Sequence, residues 1–190
     1  MPGQSRSHIG VGTGGSGGRR AFEAIDDGRP PSATAMRDLR RLHAAAVAVV
    51  TTNSDVGFRG ITVSAFCVVS LAPASVLICL ATRGEALTTI AAAGRFAVNV
   101  LSDTQEFLAE RFAGRAPLVN PKFEGVTYRL SNAGDPLLDD CLVWFDCSVS
   151  SSYESGDHTI VVGNVDEAGY GHGAMPLLYF DGAYHDIEIA

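Results

Sequence analysis

The chain has 190 residues, 46% of them hydrophobic and 18% charged, which sets aside a disordered polypeptide and predicts one packed domain with apolar surface to spare for a subunit interface. A formal net charge of −7, with lysine present only at Lys122, argues against nucleic acid or an anionic membrane as the main partner, since both require a basic stripe. The four cysteines, Cys67, Cys79, Cys141 and Cys147, stand among apolar neighbours without a C-x-x-C pair, so buried thiols in a reducing cytoplasm are expected. No stretch reads as a membrane span or a signal peptide, which makes the cytoplasm the expected location.

Near the start, Gly10, Gly12 and Gly15 fit the G-x-G-x-x-G spacing of a dinucleotide loop. That spacing binds phosphate only when a buried strand leads into it and a helix opens at its end. Here "MPGQSRSH" precedes it and "GSGGRR" follows, so residues 1–31 are expected to be a flexible glycine-rich tail and residues 32–190 the folded domain.

Ser32 or Thr34 can cap a first helix in which Met36, Leu39 and Leu42 form one apolar face. "VAVVTTN" reads as a strand, Ser54 to Gly57 as a turn, "FRGITVSAFCVVSL" as one or two strands, and "ASVLICLAT" as a buried strand. Residues 83–93 are helical in pattern and end at Gly94; "RFAVNVL" is the next strand. A capping box at Ser102-x-x-Gln105, or at Asp103-x-x-Glu106, opens a helix with Phe107, Leu108 and Phe112 as its apolar face and Gly114 as its stop. Beyond a polar loop come "VTYRL", "CLVWFDCSVSSSY", "HTIVVGNVDEA", "LLYFDG" and "YHDIEI", separated by Gly, Asp and Asn turns. Strands therefore dominate, no βαβ repetition is visible, and an antiparallel barrel is the architecture that leaves fewest exposed edges.

Five histidines, His8, His43, His158, His172 and His185, show no metal-ligand spacing. Ser64 lacks the flanking glycines of a nucleophile elbow, and Ser155, Asp157 and His158 lie too close in sequence to converge as a triad. Two segments carry more. In "GITVSAF", Thr62 and Ser64 share a strand face beside the small residues Gly60 and Ala65, which leaves room for a ligand to approach the backbone. In "ESGDHTIVVGNV", a Gly-Asp turn delivers His158 to the mouth of an apolar strand.

Taken in order, "VAVVTT", "GITVSAFCVVSLAPASVLICL", "GRFAVNVLS", "LAERFAG", "KFEGV", "GDHTIVVGNV" and "PLLYFDGAYH" resemble the flavin reductase family with the FMN-binding split-barrel fold, over about residues 36–185. Its members are the small reductase components of two-component flavin-dependent monooxygenases. The resemblance implies a mainly β fold with short helices, a Greek-key split β-barrel that forms a homodimer. It also implies binding of FMN or FAD near the dimer interface, hydride transfer from NADH or NADPH, and release of reduced flavin to a partner monooxygenase.

The same resemblance implies residue roles. Thr62, Val63, Ser64 and Ala65 would run along the flavin ring and ribityl chain, with Ser70 and Leu71 continuing that wall. Ala81, Thr82 and Arg83 would form a phosphate corner at a helix start. Phe112, Lys122 and Phe123 would belong to the region closing over the flavin, and His158 would be the catalytic-site histidine that positions the nicotinamide. One departure stands out: many relatives carry a Ser-x-Thr pair for phosphate where this chain has Gly84-Glu85-Ala86. A tightly bound flavin serving another acceptor, and a non-catalytic flavin-binding module, remain alternative readings.

Overall fold

The computed structural model describes residues 29–115 and 123–187. Residues 1–28 of the expected tail and Lys122 lie outside the described residues. Helix α1 (Ala33–Arg41) starts where the Ser32 hydroxyl accepts a hydrogen bond from the Ala35 amide at 3.1 Å. After β1 (Ala45–Ala46), strands β2 (Ala48–Ser54) and β3 (Gly57–Val63) form a hairpin whose turn closes on Gly57, at φ +92°. A second hairpin joins β4 (Phe66–Leu71) to β5 (Ala74–Ala81), so the long apolar stretch after the first turn makes two strands.

Helix α2 (Glu85–Ala93) ends at Gly94, whose φ of +68° provides the left-handed cap, and leads into β6 (Arg95–Val100). The capping box at Ser102 and Gln105 is formed, and it opens a 3-10 turn that continues as α3 (Glu106–Phe112). The remaining strands are β7 (Tyr128–Leu130), β8 (Pro136–Leu138), the long pair β9 (Val143–Ser155) and β10 (His158–Tyr170), β11 (Leu178–Phe180) and β12 (Ala183–His185).

Seven strands form the main sheet in the order β3-β2-β6-β9-β10-β5-β4, and among the described residues every strand pair is antiparallel. Its two edges, β3 and β4, are consecutive in the chain and joined only by Ser64 and Ala65. A three-stranded sheet, β1-β11-β12, lies beside it, with β7 and β8 as a separate pair.

Strand β2 shows why the fold needs its hydrophobic content. Successive side chains point to opposite faces, and both faces are covered. Val50 packs with Ile78, Phe96, Val98 and Ile90 in one core, while Val49 packs with Leu101, Phe112 and Leu177 in another. Buried carboxylates meet a cation in the middle of this sheet. Arg95 donates to Asp135 at 2.9 Å and to Asp146 at 3.0 Å, both carboxylates being shut off from solvent, and Asp135 also accepts from the Asn53 amide at 2.7 Å.

Three expectations are corrected. Phe107 faces solvent, 59% exposed, because α3 turns Ala109 and Phe112 to the core. Cys67 is exposed because β4 is an edge strand, and Cys79 of β5 is half-buried because it lines a cavity. Cys141 and Cys147 are buried as expected, and desolvation pushes their thiols up to about 11 and about 12. Finally, α1 is amphipathic but buries no residue: Met36, Leu39 and Leu42 remain exposed.

Candidate functional site

The β5–β10 pairing sets Ala81 directly opposite His158, so the end of the buried strand and the mouth of the Gly-Asp turn arrive side by side. Gly156, at φ +64°, makes that tight turn possible. The Thr82 amide donates to the Asp157 carbonyl at 3.0 Å, and the hydroxyls of Thr82 and Thr159 are hydrogen-bonded at 3.0 Å, which locks the two strand ends together. His158 Nδ1 bonds the Asp157 carboxylate at 2.8 Å. That hydrogen bond and the imidazole's charge hold the Asp157 carboxyl below its ordinary range. An imidazole anchored through Nδ1 presents its other nitrogen outward.

Ala81 and His158 line a cavity of about 470 Å³, and Thr62, Val63, Ser64 and Ala65 line it too. A volume of this size suits a drug-sized or cofactor-sized ligand. The four residues of the "TVSA" stretch play different parts. Thr62 spends its hydroxyl on the Ala109 carbonyl at 2.7 Å, tying β3 to α3, and Val63 is buried. Ser64 and Ala65 are exposed at the turn between the two edge strands, and the Ala65 carbonyl accepts from the Cys79 amide at 3.0 Å. A short bridge of small residues therefore presents backbone, rather than bulk, to the cavity.

The far wall is built from residues that strand and motif reading did not single out: Arg40 of α1, Arg115 after α3, Tyr179 and Tyr184. The Tyr184 hydroxyl donates to Glu110 at 2.8 Å, and Glu110 in turn faces Arg115 at 3.5 Å. Burial, then the adjoining carboxylate, raise the Tyr184 phenol well above its usual pKa. The sequence signal that could have found this wall is the arginine run of "RDLRRLH".

A second cavity of about 230 Å³ shares Ile61 and Ala113 with the first and reaches the start of α2, where Gly84, Glu85, Ala86 and Thr89 line it. Gly84 supplies no side-chain cap, and Glu85 faces Arg59 at 3.5 Å. The small residue Gly60 has a different purpose from the one its sequence suggests. A Cβ there would stand 2.6 Å from the Phe112 ring, so Gly60, which borders the second cavity, leaves room for an aromatic core residue.

The other expected positions divide. Phe112 is buried and lines the second cavity, with Phe123 against it at 5.1 Å between ring centroids. Thr82 adjoins the first cavity through its bonds to Asp157 and Thr159, and Arg83 follows it in the turn before α2. Ser70 and Leu71 are not brought there. They pair with Ser75 and Ala74 at the opposite end of β5, roughly 20 Å along the strand from Ala81, and Leu71 is exposed.

The family model for a flavin reductase like domain matches residues 39–188. A Rhizobium meliloti protein named "Probable flavin reductase" is 38% identical over 82% of this chain, and the match spans about half of that relative, 49% of its length. The reductase subunit HsaB of a flavin-dependent monooxygenase from Mycobacterium tuberculosis is 35% identical over 75% of each chain. Among solved structures, an NADH:FAD oxidoreductase of Streptomyces globisporus, in complex with NAD and FAD fragments, superposes with a TM-score of 0.74 at 30% identity, covering 83% of this chain and 92% of its own. The chain belongs to the flavin reductase family. Its mainly β architecture with short helices is that family's fold. Among the described residues, no helix is long and apolar enough to cross a membrane.

Proposed function

We infer that the chain is an NAD(P)H-dependent flavin reductase that supplies reduced FMN or FAD to a partner flavin-dependent monooxygenase. The observation that carries this reading is the opposition of His158 and Ala81, across one cavity, to the small backbone bridge at Ser64 and Ala65. The site fits a flavin: it is large enough, its floor is exposed backbone between small side chains, and Arg40 and Arg115 give it a cationic rim. Flavin bound there supplies the hydride-accepting N5. The chain's own residues bind and orient. Ser64 and Ala65 bring backbone polar groups to the ring edge, the Thr82–Thr159 bond fixes the strand ends, and Asp157 holds His158 in one orientation for the nicotinamide carboxamide.

Glu85 stands at the helix start where a flavin phosphate would meet α2. A carboxylate there repels phosphate, which favours a flavin that leaves after reduction over one that stays bound. In the same reading the sheet closes into a split barrel, supported by the two-residue link between its edge strands. The active form is a homodimer, supported by the exposed apolar residues of α1 and of β4, where Val68, Val69 and Leu71 face outward. Residues 32–190 are the catalytic domain and residues 1–31 are dispensable for flavin reduction. The unpaired thiols suit a reducing cytoplasm.

Oxidation of NADH and NADPH, followed with FMN, FAD and riboflavin side by side, tests the reading. Flavin-dependent loss of nicotinamide absorbance is expected, and none with any flavin would overturn it. A protein that stays colourless through gel filtration agrees with a departing flavin.

A further inference from the structure

A third cavity of about 320 Å³ opens beside the first and shares Arg40, Ser64 and Tyr179 with it. Its rim is Arg37, Arg40 and Arg41 of α1 together with His43. These arginines are at i, i+3 and i+4, so one helix face carries all three. Among the described residues, Arg37 and Arg40 have no carboxylate within salt-bridge distance. Arg41 has Asp181 at 3.5 Å, in a pair where both side chains are more than half exposed. No Asp or Glu lines either cavity among the described residues. In a chain of net charge −7, this concentration of guanidinium groups, two of the three without a carboxylate partner among the described residues, makes a local positive field at one mouth.

The orientation of α1 is the second observation. Its apolar residues Met36, Leu39 and Leu42 face away from the core, while its arginines border the cavity leading to His158. Burial of apolar surface within this chain would select the reverse. The arginine face is therefore directed at something other than core packing. Arg37 also contributes to holding the Asp157 carboxyl ionised, which places this helix within electrostatic reach of the Gly-Asp turn.

We propose that the trough of Arg37, Arg40 and Arg41 seats the phosphates of a dinucleotide substrate whose reacting ring occupies the adjoining cavity at His158. This rests on the flavin reductase reading above and extends it to the distal half of a substrate. Guanidinium forks match phosphate oxygens in bidentate geometry, and each fork removed costs more for a ligand that carries more phosphate charge. A donor with an additional 2′-phosphate is therefore the more sensitive to their loss. Both the nicotinamide dinucleotide and FAD carry a diphosphate, whereas FMN does not.

The test is the variant Arg37→Gln, with Arg37→Lys as its conservative counterpart; Arg37 is exposed and lines the third cavity but not the first, and thermal melting verifies the fold. With FMN as acceptor, the KM for NADPH is expected to rise about fivefold or more and that for NADH by less, with kcat within about twofold, KM for FMN unchanged, and partial recovery in the lysine variant. A rise confined to the KM for FAD upholds the trough and assigns it to the flavin dinucleotide. Unchanged KM values for all three dinucleotides, or an equal rise for FMN, would overturn it. Calorimetric titration with ADP separates this proposal from the enzymatic reading. Binding to the wild type that is lost in the glutamine variant upholds the trough even if no flavin is reduced. Absent or equal ADP binding overturns it even in an active reductase.

Discussion

Arg95 and Arg40 are the same residue in opposite settings. Arg95 sits in the sheet, held at 2.9 and 3.0 Å by two carboxylates that are themselves buried, with Asp166 at 3.8 Å. Arg40 stands on an exposed helix between two cavities, with no carboxylate partner among the described residues. A half-buried cation whose charge is already matched by buried carboxylates has nothing left to offer a ligand, and its removal strands the anions around it. An exposed, unmatched cation contributes little to folding and is available to bind. The difference separates the part of the molecule that holds its shape from the part that meets substrate.

The contrast is broken most easily at its stable pole. Arg95→Ala leaves Asp135 and Asp146 buried without their counter-ion and should cost about 3–5 kcal/mol, read as a lower midpoint in urea unfolding. A loss near zero would mean that the network is not structural. At the other pole, His158→Ala should leave the unfolding midpoint within about 0.5 kcal/mol of the wild type. It should nonetheless lower kcat/KM for NAD(P)H by roughly tenfold or more in steady-state assays, the range expected when a positioning contact is lost.

Asp157→Asn sharpens the comparison further, because it replaces the ionic partner of His158 with a neutral one. A rise of about two- to threefold in KM for NAD(P)H is expected. Since the His158 hydrogen bond holds the Asp157 carboxyl below its ordinary value, the carboxylate persists through neutral and mildly acid pH. Its contribution to donor binding fades only as pH falls through that lowered value, so the variant and the wild type should converge at the acid end of a KM-against-pH series. The smallest effect is reserved for Glu85→Gln: a lower KM for FMN by about two- to fivefold, with riboflavin unaffected, as one exposed charge at a helix start allows. Equal shifts for FMN and riboflavin would separate Glu85 from phosphate recognition.

Most strands were legible because their residues alternate or run apolar over five or more positions, as in "VAVVTT" and "ASVLICL". Strands β1 and β8, with two and three residues, have no room for a period and went unread. One half of the site was legible as well. Thr62 to Ala65, Ala81 and His158 do line one cavity. The other half was not: Tyr179 and Tyr184 face each other through the pairing of β11 with β12, while Arg40 and Arg115 come from the ends of α1 and α3, and contacts between such distant stretches leave no local pattern. Gly60 shows the opposite limit: a small residue signals close approach, yet not whether a ring of the protein or a ligand approaches. The apolar periodicity of α1 was equally visible, while the side it would face was not, since periodicity fixes a face and not what covers it.

The strand order carries a consequence for synthesis of the chain. Strands β5 and β6 are close in sequence, yet the β9–β10 hairpin lies between them in the sheet. Nothing made before residue 143 can complete the seven-stranded order, so a nascent chain emerging from the ribosome holds two separate hydrogen-bonding edges open until the last quarter of the polypeptide arrives. Chaperone dependence and aggregation should therefore concentrate in chains truncated before Val143, and the hairpin that brings His158 to the site is also the piece on which assembly of the whole sheet waits.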